Sequence, residues 1–249
     1  MVTPERQQNP AARTARTLGV LGGMGPLATV DFLRKVIEAT PACTDQEHVP
    51  IIIHSVPQIP DRSDSILRGG ASPLSAMMEG IFCLERAGAH GIAIACNSAH
   101  YWYDEIRRNA RSEIMHISDA VADQLDEIGT SHSKVGLIAT DATIKAGIYD
   151  KRLRVRGYEC ITLSTCETDA LVWPAIRSVK AGDIQSASVR LEQAVEKLLN
   201  SNVSKVILGC TEVPVGLSNS PQHILDNCLD ATKALAISCV AWARDRAFE

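Results

Sequence analysis

Residues Gly91 to His100 read GIAIACNSAH, and residues Lys205 to Pro214 read KVILGCTEVP. Each is a short apolar run that ends in a cysteine and turns polar at once, with Asn97 and Ser98 after Cys96, and Thr211 and Glu212 after Cys210. A short apolar run of this kind is the pattern of a buried strand. Upstream lies a second echo, in which Leu18-Gly19-Val20-Leu21-Gly22 is matched by Val135-Gly136-Leu137-Ile138-Ala139. The spacings agree as well, with 77 positions from Gly19 to Cys96 and 74 from Gly136 to Cys210. The chain therefore predicts two α/β halves of similar design. Each opens on a strand of V-G-L type and later presents a cysteine at the carboxyl end of another strand.

Working outward, short β-branched runs alternate with longer amphipathic stretches, as in a parallel sheet flanked by helices. The predicted strands are Leu18–Gly22, Pro50–His54, Gly91–Ala95, Lys134–Ala139, Glu159–Leu163 and Lys205–Leu208. Between them, Ser72–Gly88 carries helix signals: Ser72 as N-cap, Pro73 at the first position, Leu74, Met77, Met78 and Ile81 on one face, and Gly88 as terminator. Ser118–Gly129 reads as a second capped helix with Val121 and Leu125 inward. Residues Met1 to Arg16 are polar and without periodicity, which predicts a disordered tail.

At 249 residues and 45% apolar composition the chain can bury a sizeable core, and its net charge of -4 gives no basic footprint for nucleic acid. No apolar run is long enough to cross a membrane, and the N-terminus lacks the apolar core of a signal peptide, so a cytoplasmic protein with a small-molecule partner is expected. The eight cysteines (Cys43, Cys83, Cys96, Cys160, Cys166, Cys210, Cys228 and Cys239) form no C-x-x-C pair and match no zinc spacing. They read as free thiols, and no metal is expected.

The stretch VLGGMGPLAT, Val20 to Thr29, fits the G-x-G-x-x-A turn of dinucleotide-binding folds. Such a fold needs an acidic residue at the end of the second strand to bind ribose, and here that strand ends in His54-Ser55. The glycines then serve close backbone approach by a smaller ligand, with Pro26 starting the helix. Ligands of open α/β sheets bind beyond the carboxyl ends of the strands, where both cysteines fall. Two thiols facing across a cleft can take a proton from one face of a carbon and return one to the other face.

The motifs LGGMGPLATVDF, PQIPDRS, ACNSAH, LIATDATIKAGIY and LGCTEVP, in this order from Leu18 to about Pro214, resemble the aspartate/glutamate racemase family on its aspartate racemase side. The resemblance implies an α/β protein of two pseudo-symmetric Rossmann-like domains, each a mostly parallel sheet flanked by helices, with the active site in the cleft between them. It implies a two-base amino-acid racemase that uses no cofactor and commonly forms a homodimer. The matching division is a tail over 1–16, a first domain over 17–117 plus 215–249, and a second over 118–214. By motif, Cys96 and Cys210 are the implied catalytic pair. Met24, Gly25, Pro26, Asn97, Ser98, Thr140, Thr143 and Thr211 are implied to bind substrate, Arg62 to hold its carboxylate, and Lys180, in IRSVKAG, to be the basic partner from the other half.

Two departures stand out. The family usually has C-N-T where this chain has Cys96-Asn97-Ser98, and His54-Ser55-Val56 stands where some relatives carry asparagines. His54 and His100 adjoin the expected cleft and read as packing or orienting residues. Two other readings stay open: a cysteine-dependent isomerase or decarboxylase of a dicarboxylate, and an amino-acid-binding protein without catalysis.

Overall fold

The computed structural model describes residues 16–129 and 134–245, so all of the predicted tail except Arg16 lies outside the described residues. The first half runs β1 (Leu18–Gly22), α1 (Pro26–Ala39), β2 (Ile51–Ser55), α2 (Arg62–Arg68), α3 (Leu74–Arg86), β3 (Gly91–Ile94), α4 (Tyr103–Asn109), β4 (Glu113–Ile114) and α5 (Ile117–Ile128). Next come β5 (Lys134–Ile138), α6 (Asp141–Lys145), α7 (Asp150–Val155), β6 (Glu159–Thr162), α8 (Thr165–Glu167), α9 (Trp173–Lys180) and α10 (Ile184–Leu199). The chain closes with β7 (Val206–Leu208), α11 (Glu212–Gly216), α12 (Gln222–Leu225), β8 (Cys228–Asp230) and α13 (Ala231–Arg244).

Two four-stranded sheets result, ordered β2-β1-β3-β4 and β6-β5-β7-β8, with every pairing parallel. The orders are the same strand for strand, so the repeat seen in the sequence is a repeat of topology. Of the four inner strands, β1, β3 and β7 are buried along their whole length and β5 in all but its first residue, as expected of parallel sheets covered by helices on both faces.

Alternation along the strands divides the core. Leu18, Val20, Ala93 and Ala95 from one sheet and Val135, Leu137, Ala139 and Ile207 from the other join a single apolar cluster with Val121 and Leu125 of α5 and Leu235 and Cys239 of α13. Residues of opposite parity point outward, Leu21, Ile92 and Ile94 onto α3, and Val206 and Leu208 onto α10. The two halves therefore share one central core, and α13 packs on both α1 and α5.

The six predicted strands appear with ends shifted by one residue at most. The two missed strands, β4 and β8, have two and three residues, too few to show a period, and are defined by pairing with Ile92 and with Val206 to Leu208. Strand β8, residues 228–230, extends the second sheet at its edge. The helix expected from Ser72 starts at Leu74, and Ser72 Oγ still accepts the Leu74 N–H at 3.3 Å. Helix α5 is capped by His116, whose Nδ1 accepts the Ser118 N–H at 3.1 Å.

Candidate active site

The turn after β1 is built around Gly23, at φ +90°, where an added Cβ would lie 2.4 Å from the Val56 backbone nitrogen. Only glycine lets this turn lie flat against the end of β2. Its N–H donates to Thr29 Oγ1 at 2.8 Å, and the same hydroxyl donates to the Gly25 carbonyl at 2.9 Å, which ties the turn to the first turn of α1. Pro26 opens that helix.

Beside it sits Arg62, buried at the start of α2. Its Nη1 donates to the carbonyls of Ile59 (3.1 Å) and Pro60 (2.9 Å), and its Nη2 to that of Met24 (3.3 Å). The guanidinium thus clamps two strand-end loops together. Nε is buried without a hydrogen-bond partner, so the Nε edge is the part left to grip an anion.

Cys96 and Cys210 occupy equivalent places, each two residues beyond its strand, β3 and β7, and each nearly buried at 4% and 6% exposure. Cys96 Sγ lies 3.6 Å from Ser98 Oγ. Its carbonyl accepts from His100 Nδ1 at 2.9 Å, and His100 Nε2 accepts the Ile117 N–H at 3.3 Å. Burial lowers the His100 pKa to about 4, so the ring is neutral and serves as a fixed strut between the Cys96 loop and α5.

The second thiol has a different setting. Cys210 Sγ donates to Glu212 Oε2 at 3.1 Å, and Thr211 Oγ1 donates to the same oxygen at 3.0 Å. Burial first, then the Glu212 carboxylate, push the Cys210 thiol well above its ordinary range, and the charge of Cys96 adds to the rise. Cys210 is therefore a protonated thiol at neutral pH, within electrostatic reach of Cys96.

Glu212 Oε1 lies 3.8 Å from Lys180 Nζ at the end of α9. Both line a cavity of about 400 Å³ together with Gly25, Pro26, Leu27 and Val179, so the glycine turn of one half faces the basic residue of the other. A second cavity of about 620 Å³ lies between α2 and α9, lined by Asp61, Arg68, Asp141, Asp169, Trp173 and Arg177.

Of the expected residues, Gly25, Pro26 and Lys180 line the smaller cavity, Met24 accepts from Arg62 through its carbonyl, and Asn97, Ser98 and Thr211 flank the thiols. Thr140 and Thr143 bond to each other instead. Thr140 caps α6, accepting the Thr143 N–H at 3.3 Å, and the two hydroxyls are 3.1 Å apart. His54 lies beside Gly80 of α3, where a Cβ would come within 3.8 Å of its Nδ1.

Two participants were not singled out from the sequence. Glu212 reads in the sequence only as a polar successor of Cys210, and Tyr149 stands unremarked within LIATDATIKAGIY. Tyr149 is fully buried and donates from its hydroxyl to Asn97 Oδ1. Among the described residues no cluster of three or more His, Cys, Asp or Glu is placed to hold a metal ion.

A family model described as Asp/Glu/Hydantoin racemase matches residues 21–239. A broad-specificity amino-acid racemase of Bacillus subtilis is 28% identical over 228 residues, covering 90% of this chain and 96% of that one. Among solved structures, the aspartate racemase of Picrophilus torridus is 32% identical with a TM-score of 0.81, covering 93% of this chain and 95% of its own. An aspartate racemase homologue from Pyrococcus horikoshii, at 24% identity and a TM-score of 0.73, covers 92% of this chain and all of its own, and shares the fold.

Proposed function

This chain belongs to the Asp/Glu/hydantoin racemase family, and from that membership we propose that it racemises an acidic amino acid, aspartate in preference to glutamate, without pyridoxal phosphate. The observation that carries the proposal is the pair of buried cysteines at equivalent strand ends, one from each half. In the proposed reaction the Cys96 thiolate takes the α-proton from one face, and the electron pair delocalises into the carboxylate as an enolate. Cys210 then delivers its S–H proton to the opposite face, leaving the mirror image, a neutral Cys96 and a Cys210 thiolate. The other enantiomer runs the same steps backward.

The acidic preference rests on the cations. Lys180 is half-exposed in the smaller cavity and its charged partner among the described residues, Glu212, is at the outer limit of an ion pair, so an arriving carboxylate competes for it. Arg62 offers its Nε edge from the other half. Cations placed there also stabilise the enolate charge as it develops. Asn97, Ser98 and Thr211 complete the substrate contacts, with Met24, Gly25 and Pro26 as one wall. Thr140 and Thr143 act one step removed, by holding the loop that follows β5.

A cytoplasmic setting and a homodimer belong to the same reading. All eight cysteines are unpaired, and a thiol-dependent reaction needs a reducing compartment. Leu27, Val30 and Ile37 are exposed along one face of α1, an apolar stripe that a second copy would cover.

The test is direct. L-aspartate, D-aspartate and the two glutamates are incubated separately with purified protein lacking added cofactor, and chirality is followed by chiral chromatography. Each aspartate should move to the racemate faster than glutamate does. Release of carbon dioxide without loss of chirality would favour a decarboxylase, and no change with any of the four would refute the racemase.

A further inference from the structure

Tyr149 sits in the turn between α6 and α7, and its position is fixed from several sides. The neighbouring Ile148 carbonyl accepts from Ser118 Oγ of α5 at 2.9 Å, and the Tyr149 carbonyl accepts the N–H groups of Leu153 (2.9 Å) and Arg152 (3.1 Å). From this anchored backbone the side chain runs fully buried toward both cysteine loops. Its ring lies against Gly209, where an added Cβ would be 3.1 Å from Cε2, and Gly209 directly precedes Cys210. Its hydroxyl donates to Asn97 Oδ1, and Asn97 directly follows Cys96. One side chain from the second half thus touches the neighbour of each thiol.

The hydrogen bond settles the orientation of the Asn97 amide. With Oδ1 taken by the phenol, Nδ2 is the free end. It is buried, with the residue 3% exposed, and has no hydrogen-bond partner. Two N–H donors shut away from water beside a strand end demand an acceptor. An ionised carboxylate oxygen makes a stronger bond to such an N–H than a neutral acceptor does.

We propose that Tyr149 is a positioning residue for the substrate: its hydroxyl turns the Asn97 amide so that Nδ2 donates to a substrate carboxylate, while its ring keeps the Cys210 loop in register with that contact. The inference rests on the racemase reading for the identity of the carboxylate. Tyr149 itself touches neither substrate nor reacting atoms. The high pKa of its phenol, raised first by burial and then by the negative charge of Asp230, keeps it a proton donor toward Asn97 at neutral pH.

The experiment uses succinate, a dicarboxylate that cannot be racemised, as an inert probe whose affinity is measured by calorimetry on the intact protein. Tyr149→Phe keeps the ring and removes the donor, and Asn97→Ala removes the amide. Each should weaken succinate about tenfold or more, the loss of a hydrogen bond to a charged group, and the double variant should be no weaker than Asn97→Ala alone. In turnover assays Tyr149→Phe should raise KM more than it lowers kcat. Asn97→Asp, which still accepts from the phenol but presents a negative charge in place of the donors, should lose succinate altogether while its circular dichroism spectrum stays that of the folded wild type, a result that holds even if Tyr149→Phe folds poorly. Additive losses in the cycle, unchanged affinity in Tyr149→Phe or Asn97→Asp, or no binding by the wild type would overturn the inference. Wild-type racemisation is scored separately, so failure of the racemase reading would leave the succinate cycle interpretable.

Discussion

The two thiols differ in what surrounds them. Cys210 is shut in, donates to Glu212 and is held protonated, whereas Cys96 Sγ faces the Ser98 hydroxyl at 3.6 Å. A pair poised for proton transfer across a carbon needs this kind of inequality, since one member must hold a proton while the other lacks one. The histidines behind Cys96 carry a prediction about stability. The pKa of His100 is about 4 in the folded chain, against 6.5 as its ordinary value, and burial also lowers His116, whose ring packs edge-on at 4.8 Å from that of His100. A depressed folded pKa means that this stability is complete above pH 6.5 and is lost as pH falls toward 4. Urea unfolding should therefore show a loss on the order of 2–3 kcal/mol from His100 between pH 7 and 4.5, and His100→Gln should flatten that part of the profile. At this scale the sequence was readable for Cys96 and Cys210, because each ends an apolar run. It was silent on Tyr149, whose partner lies 52 positions away, and it could not show that Arg62 spends its Nη donors on backbone carbonyls.

Among the elements, the β1–α1 turn is the one whose geometry is least tolerant. Gly23→Ala would force a side chain into the Val56 backbone at a positive φ. Such strain costs about 1–3 kcal/mol, and relief requires the turn to move away from β2, which takes the Met24 carbonyl off Arg62. Thermal unfolding should fall and KM should rise in the same variant. An unchanged KM would mean that the turn does not touch substrate. Strands β1, β3 and β7 were legible because each is buried from end to end, and β5 because only its first residue, Lys134, is exposed; β4 and β8 were not, since strands of two and three residues exist only through their neighbours. The cap of α5 was missed for a related reason. His116, not a hydroxyl or carboxamide, takes the Ser118 N–H, and histidine is no ordinary helix-start signal.

Across the whole molecule, the halves are joined by a shared core and by one buried cation. Lys35 of α1 is ion-paired with Asp31, lies 2.6 Å from Asp230 Oδ2 at the end of β8, and donates to Thr232 Oγ1 at 2.6 Å. Removing one partner from a buried pair leaves unmatched charge, at about 3 kcal/mol or more. Lys35→Ala should lower the unfolding temperature by several degrees, and Lys35→Ala with Asp230→Asn should recover part of the loss; simple additivity would mean the contact is incidental. The repeat of fold was visible in the sequence because V-G-L strands and cysteines recur at matched spacing, while the way α13 closes one core over both sheets depends on packing alone. The central claim is that the two halves act on opposite faces of one carbon, and single-thiol variants test it most directly. In D2O, Cys96→Ala and Cys210→Ala should each lose racemisation by at least about a hundredfold, and each should exchange the α-proton of one enantiomer of aspartate only, a different enantiomer for each variant. Exchange of the same enantiomer by both variants, or racemisation by either at the wild-type rate, would contradict it.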